Sequence, residues 1–448
     1  MKAGYRRRST VSVVARRATL MMLLYLPACS GGSGAGSTDA QMNSIAERYV
    51  KLILQMGNHD AAYVDAYYGP DEWAEEAKAN PMALTEVRVE AEELLADLGQ
   101  VAPGADAEEL VRLRHAYLTR QLQSVTARID MLEGAKLSFD EEARALYDSD
   151  PPAYDEAHFQ QLVDAVSAAL PPGQGPLHER YSQFRASFVI PPERLDTVFS
   201  TAIEECKRRT AQYMDLPAGE SFTVEYVTDK PWSGYNWYQG NSTSLIQVNT
   251  DLPIHIDRAI DLACHEGYPG HHVYNTMLES NLARRRGWME VSVYALFSPQ
   301  SLIAEGTANY GIDMAFPREE RQAFERDVLF PLAGLDSSRV DEYYRVQDLT
   351  AKLDYARNEA ARAYLNGRID ADSAAAYLNR YALMDDGRAA QSVRFIDTYR
   401  SYVINYNLGK DLVRQYVERE AGANATETER WAVYSELLAS PRLPSGLL

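Results

Sequence analysis

The chain has 448 residues, 46% hydrophobic and 24% charged, enough apolar material to bury one large core or two fused ones, which excludes a disordered chain. Lys and Arg number 45 against 64 Asp and Glu, a formal charge of −19, and this acidic balance argues against a nucleic-acid partner, whose phosphates need basic surface. The three cysteines are Cys29, Cys206 and Cys264; a chain of this size needs no disulfide framework, although one bridge is possible.

Residues 1–28 read as a signal peptide. Lys2, Arg6, Arg7, Arg8, Arg16 and Arg17 precede an apolar run from Ala18 to Ala28, with no acidic residue among them. That run is too short for a membrane span, which needs about 20 apolar residues. It ends at Leu26-Pro27-Ala28-Cys29, similar to a bacterial lipobox, with Cys29 as the lipidation site and residues 29–40 as a flexible Ser/Gly-rich tether. Removing the leader leaves 39 Lys and Arg against 64 Asp and Glu, a charge of −25. The expectation is an exported bacterial protein, periplasmic and held to the inner or outer membrane only through a lipid anchor.

Residues 41–448 read as a single domain, mainly α. Ile45, Tyr49, Leu52, Ile53 and Met56 recur at helical spacing and predict an amphipathic helix over 41–57, ending at Gly57. Leu113, Tyr117, Leu118, Leu122, Val125 and Ile129 mark one side of a long helix over 110–132, and another runs over 192–214. Loops fall at Pro151-Pro152 and Pro171-Pro172-Gly173. The alternating stretch 222–227 predicts a strand, and 244–248 a second one after a turn over Trp237–Asn241. Together they form a small sheet beside the helices of the site. The segment 245–249 also offers an edge to which an extended peptide could add.

The chemistry concentrates in residues 265–310. Three of the eight histidines stand in His265-Glu266-Gly267-Tyr268-Pro269-Gly270-His271-His272. In H-E-x-x-H the histidines lie about 40° apart around a helix and roughly 6 Å along it, so both imidazoles reach one Zn²⁺. Here the fourth position is Pro269. His271, six residues on, lies about 120° away on an ideal helix, so it converges with His265 only if the helix breaks. Pro269 and Gly270 supply that break. His272 is the competing ligand, on the face of His265 but about 10 Å further along. Glu305, in the helical segment 301–310, is the expected third ligand, with Asn309 one turn later as a group that holds a ligand histidine. Arg357, Arg394 and Arg400 are candidates to clamp a substrate carboxylate.

These residues carry a resemblance. The 265–272 run and Glu305-Gly306-Thr307-Ala308-Asn309-Tyr310 match the H-E-x-x-P-G-H-H and E-G-x-A-x-Y patterns of the DUF885 family of bacterial proteins, over roughly residues 40–420. Tyr406-Asn407-Leu408-Gly409-Lys410 resembles that family's C-terminal Y-K-x-G element, although the P-G-Q-A that usually precedes it is absent. The family looks like a distant relative of gluzincin metallopeptidases, where two histidines and a glutamate hold zinc and one lineage tolerates a stretched H-E-x-x-x-H. The resemblance implies a large multi-helix, zincin-like domain, one Zn²⁺, and activity on a small peptide or peptide-like substrate. Three protein ligands leave a position for water, whose pKa falls toward neutrality on Zn²⁺. Glu266 is then the general base, Tyr406 a donor to the oxyanion, and Tyr310 a further residue at the site. Two competing readings share these ligands: a non-catalytic metal- or ligand-binding lipoprotein, and a metal hydrolase of non-peptide amides or esters.

Overall fold

A computed structural model describes residues 33–448, with side chains from residue 39. The leader and Cys29 lie outside the described residues. Of the expected tether, the part from Ser33 onward is already helical, because the first helix, α1, spans Ser33–Met56. Once the buried residues from Met42 onward fix this helix, extending it N-terminally adds one hydrogen bond per residue without a new nucleus.

The fold is mainly α, with two small sheets. In α1 the five periodic positions are buried, Ile45 at 5% exposure and the others at 1% or less. This face packs against α2 (Leu84–Gln100), which in turn packs on α3 (Glu109–Leu132). In α3 the predicted stripe is buried except Leu113, which sits at the rim. The 192–214 prediction resolves into a 3-10 turn, Pro192–Arg194, and α4, Leu195–Thr210. One connected apolar core runs from Met42 to Leu447. No helix among the described residues is long and apolar enough to cross a membrane.

Strands β2 (Ser221–Val227), β3 (Gly234–Gly240) and β4 (Thr243–Asn249) form a sheet of order β2-β4-β3. The Trp237–Asn241 segment is thus mostly strand: Asn236 and Tyr238 point inward, Trp237 outward, and the aromatic residues suit a half-buried pleat. The turn falls at Asn241-Ser242, both left-handed, as a two-residue hairpin requires. β4 is the central strand, parallel to β2 and antiparallel to β3. Its backbone is paired on both sides, which removes the expected free edge at 245–249. A further ribbon that the sequence did not reveal pairs β1 (Val64–Tyr67) with β5 (Val293–Ala295).

The helix at the centre is α7, Pro299–Ala315, in which 15 of 17 residues are buried. It is covered on nearly every side, exposing only Asp313 and, in part, Asn309. Its main partner is α8, Ile404–Ala421. The two cross at Gly306 and Gly409: a Cβ on Gly306 would stand 2.5 Å from the Gly409 backbone. Both glycines belong to the motifs read above, and only this close approach brings the start of α8 alongside Glu305.

Cys206 on α4 and Cys264 form a disulfide, with Cα atoms 5.7 Å apart across 58 residues of chain. The sequence left this bridge open. It is compatible with an oxidising compartment.

Leu94, fully buried on α2, lies in a part of the core that contacts α1 and α3 rather than the site helices. Leu94→Ala is expected to cost about 2–5 kcal/mol by chemical denaturation, with no change in metal affinity; a loss of metal binding would show that this bundle and the site are coupled.

Candidate metal centre

The segment approaching His265 is helical from Asp257 to Leu262 (α5), then widens into a π turn over Ala263–Gly267. Tyr268 is extended, with φ −118° and ψ 115°, and a new helix, α6, runs His271–Leu278. Gly270 closes the break by donating its N–H to the Cys264 carbonyl at 2.9 Å. Any side chain there would collide, since a Cβ would lie 1.8 Å from the His265 carbonyl oxygen. The two helical pieces are thus joined at an angle that no continuous helix could give.

This break brings His265 and His271 together, with ring centroids 4.7 Å apart and planes perpendicular. Both Nε2 atoms face one oxygen of Glu305, at 3.2 Å and 3.7 Å from Oε2. Glu305 comes from α7, so the set is drawn from the two pieces of the broken helix and a third segment that converges on them. Ligand atoms of the three residues all lie within 4.8 Å of one another.

The charge balance tests whether a cation fits. Glu266 Oε2 is buried without a hydrogen-bond partner, and Glu305 Oε2 is met only by the two imidazole nitrogens, an arrangement that costs free energy unless something positive satisfies these carboxylates. Burial acts to push His271 down, yet the carboxylates of Glu305, Glu266 and Asp65 outweigh it and raise the imidazole to about 9. The pocket favours positive charge. Burial likewise works against ionised Glu305, but its two histidine partners hold it well below the usual carboxylate range. Two imidazoles and one carboxylate form a donor set suited to Zn²⁺. The residues present fit the ion.

Glu266 is buried, and its burial pushes its carboxyl above the ordinary range despite His265 and His271 nearby. β3 passes directly over it. A Cβ on Gly234 would stand 2.7 Å from Glu266 Oε1, and Asn236 donates to the Glu266 carbonyl at 2.7 Å. The glycine leaves the carboxylate room beside the strand.

Three expected site residues do other work. His272 points away from the cluster, with Nδ1 2.8 Å from Ser244 Oγ and Nε2 2.9 Å from Glu220 Oε2, so neither nitrogen is left for a metal. Asn309 holds no histidine; it donates to the carbonyls of Glu305 at 3.0 Å and Tyr406 at 3.3 Å, a link between α7 and α8. Tyr310 packs edge-on against Tyr434 at 6.1 Å, on the far side of α7 from Glu305, as the helical spacing of 305 and 310 dictates.

Tyr406 lies near the centre, its phenol pushed up by burial and by Glu305. The group that touches Glu305 is one turn earlier: Tyr402 donates its hydroxyl to Oε1 at 2.8 Å. Sequence reasoning missed Tyr402, which lies in a 3-10 turn, Arg400–Val403, leading into α8, although its i, i+4 spacing to Tyr406 was a usable signal. Asp65 was also missed. It sits at a bulge in β1, between the paired positions Val64 and Ala66, accepts the Tyr235 hydroxyl, and is raised to about 6 by burial. Bulges re-aim side chains in this way, but nothing local in the sequence announces one. Of the three arginines, Arg400 is committed to Glu142 at 2.7 Å and Arg394 is exposed. Arg357 stacks over Phe395 at 4.6 Å and Tyr406 at 5.9 Å, with no carboxylate in ion-pair range among the described residues.

No family model matches the chain, and no curated protein matches it. Among solved structures it is similar to a protein of Colwellia psychrerythraea described as a lipoprotein, at 14% identity and TM-score 0.46, covering 81% of this chain and 71% of that one. It is also similar to an M32 carboxypeptidase from Deinococcus radiodurans R1, at 14% identity and TM-score 0.46, covering 89% of each chain. A third is a carboxypeptidase of Pyrococcus furiosus, at 11% identity and TM-score 0.42, covering 92% and 90%. These likenesses concern the course of the chain alone.

His271→Ala is expected to weaken zinc binding by more than the roughly 10–100-fold that an outer hydrogen-bond partner is worth, because it removes one of three protein ligands. Asn309→Ala should leave it within a few-fold of wild type, both read by competition against a chelator of known affinity. Equal effects of the two would place the ligands elsewhere.

Proposed function

We propose that the protein is a zinc-dependent hydrolase of the DUF885 type, acting as a peptidase on short peptides. The observation that supports this most directly is the convergence of His265, His271 and Glu305 beside a buried, unsatisfied Glu266 carboxylate oxygen. A site meant only to store a metal has no need of that carboxylate, which speaks against the non-catalytic reading.

When bound by these three residues, zinc supplies Lewis-acid polarisation of a carbonyl and acidifies water. Glu266 receives the proton of the attacking water at Oε2 and returns it to the departing amine. Its burial raises its basicity, which suits a proton acceptor working near neutral pH. Tyr402 holds Glu305 in place through its hydroxyl. Tyr406 stands near the same centre as a donor for a developing oxyanion, while the Tyr235 hydroxyl is committed to Asp65. Arg357 has a guanidinium free to meet a substrate carboxylate, so peptides with a free C-terminus are the first substrates to test. Export and lipidation at Cys29 would set this activity in the periplasm.

Glu266→Gln should retain zinc while hydrolysis of a peptide library falls by roughly 10²–10⁴-fold. Zinc-loaded wild type that leaves such a library intact but cleaves esters or other amides would move the assignment to a non-peptide hydrolase.

The pH profile carries a second check. The base works only when ionised, so kcat/KM must rise with pH through the Glu266 pKa. Burial acts to move this limb above the ordinary glutamate value of about 4.3, and a cation bound beside it acts in the opposite direction. A limb unchanged in Glu266→Gln would contradict the assigned role.

A further inference from the structure

Because His265 and His271 lie on two helical pieces joined by a break, helical hydrogen bonding does not fix their separation. Within the segment the Gly270 N–H bond to the Cys264 carbonyl spans the break, and groups outside the helix hold its two ends. The residue just before the first ligand, Cys264, is bonded to Cys206 of α4. The residue just after the second ligand, His272, is held by Glu220, and Glu220 is held by Lys207, the next residue of α4, at 2.6 Å. Two consecutive residues of one helix therefore reach both ends of the ligand-bearing segment.

The middle of the break is fixed by the same carboxylate. Tyr268 donates to Glu220 Oε2 at 2.6 Å, and Lys207 lies 5.0 Å over the Tyr268 ring. Phe222 of β2 packs against Tyr268 and His272, each at 5.2 Å. On the other side of the imidazole, Ser244 of β4 contacts Nδ1 at 2.8 Å. The Glu220 side chain is 6% exposed, and its hydrogen bonds from His272, Lys207 and Tyr268 overcome burial to hold it to about 2, so it stays ionised.

Ser244, His272 and Glu220 follow the order of a serine-hydrolase relay. With Ser244 at 4% exposure and His272 at 0%, no substrate can reach the hydroxyl. The arrangement holds rather than reacts.

We propose that Cys206, Lys207, Glu220, His272 and Ser244 are positioning residues that form a brace setting the spacing of His265 and His271, and thereby the affinity for zinc. This rests on the metal-site assignment above. Outer groups of this kind are typically worth 10–100-fold in metal affinity, and here they act through the chain on either side of the ligands.

The test measures zinc affinity of the full chain by chelator competition, with apo-protein stability from chemical denaturation alongside. The double variant Cys206→Ala/Cys264→Ala and Glu220→Gln should each weaken zinc binding about 10–100-fold. Lys207 is 46% exposed on its side chain, so its variants should fold in any case. Lys207→Met should weaken zinc binding, and Lys207→Arg should restore it. Leu94→Ala should lose stability without losing affinity. The brace is overturned if its variants bind zinc as wild type does, or lose no more affinity than Leu94→Ala for the same loss of stability. Wild type that binds no zinc, or binds it unchanged in His265→Ala, overturns the metal-site assignment itself and the brace with it.

Discussion

Six positions separate His265 from His271, and on an unbroken helix their side chains would point about 120° apart. The π turn over Ala263–Gly267 and the break through Gly270 remove that divergence and turn both imidazoles toward Glu305. Much of the surrounding structure follows from this geometry. A broken helix leaves its ends to be held by neighbours, and α4, β2 and β4 do so. A carboxylate that must meet two imidazoles has to come from a second helix at fixed height, which α7 provides by being buried almost throughout.

The other helix that completes the site is positioned by backbone rather than by side chains. The Gly306–Gly409 crossing lets α7 and α8 approach more closely than any larger residue would allow, and Asn309 joins them by bonding carbonyls on both. Tyr402 and Tyr406 stand beside the candidate metal centre as a result. Charge collects here at a density that burial alone would not tolerate: Asp65, Glu266 and Glu305 face two histidines, and Glu266 Oε2 has no donor. Such a cluster is costly as it stands and favourable around a cation.

Helical periodicity made α1 and α3 legible from sequence, and the proline pairs marked the loops on either side of the helix Glu156–Ala169. The three residues that converge were also accessible, because types and spacing at 265, 271 and 305 left few geometric solutions. The roles assigned to neighbours were less secure. His272 read as a competing ligand because an unbroken helix returns it to the face of His265, a register that the break through Gly270 removes. Tyr310 read as a site residue from its motif, and both pack elsewhere. Asn309 was placed near the site but its partners are backbone atoms, which sequence cannot name. Long-range features stayed hidden: the β1–β5 ribbon, the bulge that aims Asp65, the central place of β4 and the Cys206–Cys264 bridge each depend on residues far apart in the chain.

X-ray absorption at the zinc edge, on protein loaded with one equivalent of the metal, tests the central claim most directly. The account predicts a shell of nitrogen and oxygen atoms at about 2.0–2.2 Å, with two imidazoles in wild type, one in His271→Ala and two retained in a His272 variant. A shell containing sulfur, or one that loses an imidazole when His272 rather than His271 is replaced, would contradict it.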